Sequence, residues 1–246
     1  MRRHALTIVV LGGIVLGCLA GAAEPPAKEA ERPWKALFNG KDLAGWQIKC
    51  KPPDRTKAFW KVKDGVIVCD SMGRKKHDYV WLMTQREYGD FELKLKVRGH
   101  APASRGNSGV QVRSRYDDKA GWLDGPQVDI HPPGPWRTGL IYDETRGTRR
   151  WICPAMKNWR ISKDKAPKTW LWRAGDWNDL TIRCQGTRIL TRLNGLVMSD
   201  FDGKGILDDA AHRKHNVGLK GHIALQLHSR DELLIEFKDI KIRELK

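Results

Sequence analysis

Period-two alternation of apolar and polar residues recurs in short stretches along most of the chain, and nothing else constrains the fold as strongly. In residues 90–98, Phe91, Leu93, Leu95 and Val97 alternate with Glu92, Lys94 and Lys96. Successive strand side chains point to opposite faces, so such a stretch buries one face and leaves the other wet. Residues 178–185 and 188–195 alternate in the same way, with Gln185-Gly186-Thr187 as the turn between them. Residues 61–69 contain Asp64-Gly65, a strong hairpin signal. Residues 222–229 and 232–245 complete the set. Helical periodicity is scarce: residues 207–215 read as one short surface helix with His212 and His215 facing solvent, and residues 160–168 as a long polar loop or a helical turn. Short strands at regular spacing, separated by Gly, Pro, Asn and Asp, predict an all-β sandwich or jelly roll.

Three of these segments carry amide, carboxylate, imidazole or guanidinium groups where a solvated face would more often show Lys, Glu and Thr. Gln127, Asp129 and His131 alternate with Val128 and Ile130; Gln111 and Arg113 with Val110 and Val112; Gln226 and His228 with Leu225 and Leu227. If the three are neighbours in one sheet, they form a hydrogen-bonding surface suited to a neutral polyhydroxyl ligand.

The first residues stand apart from this pattern. Arg2 and Arg3 precede an apolar run from Leu6 to Ala20, and the chain turns polar at Glu24. This reads as an export signal over residues 1–23, too short and wrongly flanked for a membrane span. Residues 24–32 form a linker, and residues 33–246 a single domain without internal repeat. The expected location is periplasmic or extracellular. Residues 15–18 loosely match a lipoprotein box, so a membrane partner enters only through acylation of Cys18. The leader removes Arg2 and Arg3 from a formal charge of +16, leaving about +14. The basic residues are dispersed, with no continuous arm and no nucleic-acid motif, which excludes nucleic acid as a partner class. Solubility is the plain reading of that charge, and attraction to an acidic polysaccharide the sharper one. Cys50, Cys69, Cys153 and Cys184 allow two disulfides in three connectivities. Cys69 and Cys184 are in phase with apolar strand positions and read as buried thiols, and no CxxC is present.

Eleven tryptophans are more than one core absorbs. Trp60 and Trp81 sit in apolar strands and read as structural, whereas Trp122, Trp136, Trp159 and Trp172 lie in loop-like sequence. Residues 151–177 are rich in Trp and poor in strand pattern, which suggests an insertion or lid at one rim. An indole face stacks on the CH face of a sugar while its edge stays wet.

Several segments, taken in order, resemble one known family: LFNGKDLAGW at 37–46, GNSGVQVR at 106–113, GPQVDI at 125–130, TGLIY at 138–142, GDWNDLTIRCQG at 175–186, LNG at 193–195, and GHIALQLHS through FKDIKI at 221–242. Together they are similar to the 3-keto-disaccharide hydrolase domain. The resemblance implies a concanavalin-like, LamG-related β-sandwich, usually exported, acting on sugars oxidised at carbon 3. It implies loss of the acidified hydrogen at carbon 2, expulsion of the glycosidic oxygen from carbon 1, and addition of water to the enone. That route needs a base, a stabiliser for the enolate oxygen and an acid for the leaving group, not the two opposed carboxylates of an ordinary glycosidase. Many members carry Glu and Gln in a GPEYQI-like segment and read ALQDH later; here Gln127 and Asp129 occupy the first, and the second runs Ala224-Leu225-Gln226-Leu227-His228, as in a subgroup.

Asp129, mid-strand between two apolar residues, is the first choice for a base or a metal-linked carboxylate. Asp129, His131 and His228 form the candidate catalytic set. They divide acid and base roles, or hold a divalent metal if their strands adjoin, although no short metal signature such as HExxH is present. Arg113 and Gln127 are cast as partners of sugar hydroxyls or of the enolate oxygen, with Gln111 and Gln226 beside them. Asn107 lies in a glycine-flanked loop that permits close backbone approach. Tyr142 is a proton donor or a rim contact. The alternative to an enzyme is a non-catalytic carbohydrate-binding or adhesion module on the same sandwich.

Overall fold

The two-residue period becomes two antiparallel sheets packed face to face. The computed structural model describes residues 32–100, 105–157 and 159–245; the expected export signal and linker, Cys18 included, lie outside the described residues apart from Arg32. In chain order the strands are β1 (Lys35–Ala36), β2 (Trp46–Cys50), β3 (Trp60–Lys63), β4 (Val66–Asp70), β5 (Val80–Thr84), β6 (Phe91–Gly99), β7 (Ser108–Asp117) and β8 (Trp122–Asp124). They continue with β9 (Pro126–Ile130), β10 (Ile141–Asp143), β11 (Arg150–Cys153), β12 (Asn178–Gln185), β13 (Arg188–Leu193), β14 (Leu196–Asp202), β15 (His222–Leu227) and β16 (Leu234–Glu244). One sheet runs β14-β13-β12-β6-β16-β4-β3, with β1 against β16. The other runs β11-β10-β9-β7-β15-β5-β2, with β8 against β7.

The alternating apolar residues supply the layer between the sheets. Phe91, Leu93, Leu95 and Val97 from β6 and Leu180 and Ile182 from β12 meet Val110 and Val112 from β7, Val128 and Ile130 from β9, and Leu225 and Leu227 from β15. Each such side chain taken from water contributes about 1.5–3 kcal/mol, which holds the sheets in register despite their exposed polar faces. Asp64 and Gly65 take φ of 50° and 76° between β3 and β4, the left-handed pair that a two-residue hairpin of this twist demands. Asn194 and Gly195 repeat the device between β13 and β14. All four described cysteines are free thiols. Cys69 and Cys184 face the core, where burial pushes both thiols up, Cys184 to about 11.

The helix is shorter than expected and sits differently. Helix α1 spans Ala210–His215 and is capped by Asp209, whose carboxylate accepts the His212 N–H. His212 does not face solvent: it is fully buried, with Nε2 3.3 Å from Asp143 Oδ1 and Nδ1 2.9 Å from Asp209 Oδ1. A slot between two carboxylates offers the imidazole both partners it needs, and helical periodicity carries no trace of it. The Trp-rich segment begins in strand β11, with Trp151 buried, and continues as a loop with one 3-10 turn at Lys163–Lys165.

Candidate functional site

The three polar segments are consecutive neighbours, in the order β9-β7-β15. Register places Gly109 opposite Asp129 and Gln111 opposite Gln127, while Val110 faces Val128 on one side and Leu225 on the other. The apolar residues of all three strands therefore enter the core together, and their polar residues share the outer face of the sheet. β10 extends this face by setting Tyr142 opposite Gln127. Gly109 has a specific use: a Cβ there would stand 2.5 Å from Gln127 Cδ, so only glycine lets the Gln127 side chain lie across β7.

A cavity of about 320 Å³ opens on this face. Tyr79, Gln127, Asp129, Tyr142, Glu144 and His228 line it, and Arg137, Arg149, Trp151 and Trp159 wall it. Asn107 borders both this cavity and an adjoining one of about 590 Å³ that reaches Arg105, His131, Arg160 and Asp231. Trp159 is 68% exposed, from the Trp-rich loop, and presents a wet indole at the boundary between the two.

Two features give the cavity its chemistry. The first is a hydrogen-bonded chain. Tyr79 Oη lies 2.9 Å from His228 Nε2, and His228 Nδ1 lies 3.1 Å from Asp231 Oδ2. The Asn107 backbone N–H also donates to Asp231 Oδ2, at 2.7 Å. Burial pulls the imidazole pKa down, but the hydrogen bond and charge of Asp231 outweigh it, so His228 holds its proton above the usual histidine range. Burial alone would raise Asp231, yet His228 and the Asn107 N–H bring its carboxyl below the ordinary value. The second feature is Glu144. Its side chain is almost wholly buried, and desolvation lifts its carboxyl from 4.5 to about 7, against the lowering charges of Arg149 and His228. Arg149 Nε donates to Glu144 Oε2 at 3.2 Å. A group divided between acid and base near neutral pH suits proton transfer in both directions. Burial also pushes the phenol of Tyr142 up to about 12 and that of Tyr79 higher still.

Asp129, His228, Asn107, Gln127 and Tyr142 meet around the first cavity, and His131 lines the adjoining one. Asp129 is buried and accepts from Arg137 Nε at 3.1 Å. His131 follows the end of β9; burial, then the Arg137 charge, pulls its imidazole pKa down. Gln111 does not line the cavity; it is fully buried and its amide donates to Leu123 O of β8 at 3.1 Å. Gln226 is fully buried opposite Trp81, and neither side-chain polar atom has a partner among the described residues.

Arg113 is placed elsewhere altogether. A bulge between β7 and β15 puts it at φ 49° and turns its side chain out of the alternation. It is fully buried, donating to Gly89 O, Gly186 O, Gly218 O and the Asp90 carboxylate. The guanidinium beside Asp129 is that of Arg137 instead. Among the described residues no three His, Cys, Asp or Glu side chains converge as a metal site, and Asp129, His131 and His228 are not so grouped. Glu144, Tyr79, Asp231, Arg137 and Arg149 escaped the sequence reading. Faint signals existed: Glu144 is two residues beyond Tyr142, Tyr79 two before Trp81, and Asp231 three beyond His228.

Residues 33–243 match the family described as a 3-keto-α-glucoside-1,2-lyase-like domain. No curated protein matches the chain. Solved structures with the same fold include a candidate glycosyl hydrolase from Parabacteroides distasonis, 25% identical, covering 87% of this chain and 100% of that one at a TM-score of 0.55. Carbohydrate-binding module CBM66 from Bacillus subtilis is 13% identical and covers 81% and 96% at a TM-score of 0.53. A Bacillus subtilis protein of unknown function with a galectin-like fold is 10% identical and covers 88% and 96% at 0.54.

Proposed function

The chain belongs to the 3-keto-α-glucoside-1,2-lyase-like domain family, and from that membership and the cavity chemistry we propose an exported enzyme that cleaves 3-keto-glycosides by elimination and hydration. The observation that carries the proposal is a buried carboxyl at about 7 sharing one cavity with Tyr79 and His228, the latter paired to Asp231.

In this reading the ionised Glu144 removes the hydrogen at carbon 2, which the neighbouring ketone acidifies. The electron pair moves onto the carbonyl oxygen as an enolate, then forms the carbon 1–carbon 2 double bond as the carbon 1–oxygen bond breaks. A cation near the enolate oxygen lowers the barrier in a site with little water, and Arg137 and Arg149 are the cations of the cavity wall. Asp129 acts here through Arg137, as a positioning residue. The leaving oxygen takes its proton from Tyr79, which His228 replenishes; Asp231 keeps that imidazole charged. Water then adds its hydroxyl at carbon 1 and gives up its proton through Tyr79 to recharge His228, while Glu144, now neutral, returns a proton to carbon 2. Gln127, Asn107 and Tyr142 hold hydroxyls, and Trp151 and Trp159 offer ring faces.

The test is sugar release from a panel of 3-keto-glycosides beside their unoxidised parents, with and without chelator, using the wild type, Glu144→Gln and Asp129→Asn. Release from keto substrates alone, lost in Glu144→Gln, is the expected outcome. Loss in Asp129→Asn with Glu144→Gln active would transfer the base to Asp129. No release from any substrate, with tryptophan fluorescence still responding to glycans, would replace the enzyme by a binding module.

A further inference from the structure

The outer face of the other sheet carries a block of lysines that the cavity does not use. Lys94 of β6 lies directly opposite Lys241 of β16, and Lys96 directly opposite Lys238. Lys238 and Lys241 are three residues apart, so a regular strand would send them to opposite faces. A bulge between them, with Asp239 at φ 52°, turns both outward. Like charges directly opposite one another destabilise a sheet, and here the bulge sets a second such pair, Lys94 and Lys241, beside that of Lys96 and Lys238.

Little within the protein neutralises them. Lys96 has Asp179 at 2.7 Å. Lys94 lies 4.4 Å from the ring centroid of Trp34 and Lys238 4.2 Å from that of Trp177, contacts that leave the charge in place. Lys241 pairs with no carboxylate among the described residues. The row continues through Thr181, opposite Lys94, to Arg192 on β13, opposite Thr181. Cations thus extend across three strand spacings, roughly 14 Å. A groove of about 310 Å³ runs along this face, lined by Lys94, Lys96, Thr181 and Lys241 together with Asp179 and Asp239.

We propose that this face is a second, non-catalytic site that holds a carboxylated or sulfated polysaccharide. Charge complementarity sets the sign of the occupant. An open row across several strands fits an extended chain with repeating charge better than one small anion, which needs a closed pocket. The sugar character of the occupant rests on family membership, and its binding does not require that the cavity turn anything over.

The test is calorimetric titration of the purified protein with dextran sulfate and with polygalacturonate, beside neutral dextran, at low and physiological salt. The face variant is Lys94→Gln/Lys238→Gln/Lys241→Gln; the control, Lys119→Gln/Lys204→Gln/Lys214→Gln, removes the same charge from exposed positions elsewhere. Polyanion affinity should fall about tenfold or more in the face variant and persist in the control, weakening with salt in the wild type. The face variant should melt no lower than the wild type, since like-charge pairs are relieved, and should keep any turnover of the wild type. Equal losses in both variants would overturn the site in favour of net charge alone. Absence of polyanion binding, or tighter binding to phosphatidylglycerol vesicles than to either polysaccharide, would overturn the proposal.

Discussion

In Glu144→Gln the amide keeps the shape of the side chain and removes its charge. Burial holds the native carboxyl at about 7 against an ordinary 4.5, so between those values the folded protein binds a proton that the unfolded chain releases. Stability then falls as pH rises through that window, by about 1.4 kcal/mol per pH unit. Across the window the loss amounts to about 3 kcal/mol, absent below pH 4.5 and complete above pH 7. The amide escapes it. The value of about 7 already includes the pull of Arg149 and His228 on the ionised carboxyl, so their loss adds no further cost. Urea unfolding should therefore find variant and wild type nearly matched at pH 4 and the variant ahead by about 2–3 kcal/mol at pH 8. In a domain of this size that difference raises the melting temperature by roughly 4–12 °C. Turnover of a 3-keto-glycoside should fall by about 10²–10⁴, the usual contribution of a general base. A variant no more stable than wild type at pH 8, or equally favoured at both pH values, would refute the desolvation argument; undiminished turnover would refute the catalytic role.

Arg113→Met should destabilise by about 3–5 kcal/mol in urea unfolding, because three carbonyls and Asp90 lose a buried guanidinium. Gly109→Ala should displace Gln127, weaken glycan-induced fluorescence changes and lower the unfolding temperature, since the clash reaches Cγ of a buried side chain. In Asp231→Asn the His228 imidazole should titrate at lower pH by nuclear magnetic resonance, its largest favourable partner having gone. Burial depresses His212, but Asp143 and Asp209 raise it overall. Its stabilisation is therefore complete below pH 6.5 and lost as pH rises past its folded value; His212→Gln should flatten that part of the stability–pH curve.

The sandwich was legible because alternation is a local property. Phe91 through Val97 specify a buried face whatever their partners are, and Asp64-Gly65 specifies its own turn. The polar faces of Gln127/Asp129 and Gln226/His228 were legible for the same reason, and so was the hydrogen-bonding character of the surface they share. Register and bulges are long-range. Arg113 stands in perfect alternation with Val110 and Val112, yet one extra residue against β15 sends it to the far carbonyls of Gly89, Gly186 and Gly218. Another bulge brings Lys238 and Lys241 to one face, which no period of two or 3.6 predicts.

The same division runs through the site. Residue type and spacing alone determined that His228 belonged to a polar strand face. Only the tertiary structure supplied Asp231 and Glu144 to hold its proton, because a pKa is set by whatever surrounds the group within a few ångströms. Glu144 makes the point most clearly: in sequence it is an acidic residue after a short strand, and what lifts its carboxyl to about 7 is the burial that the packed strands and the walls of the cavity impose on it.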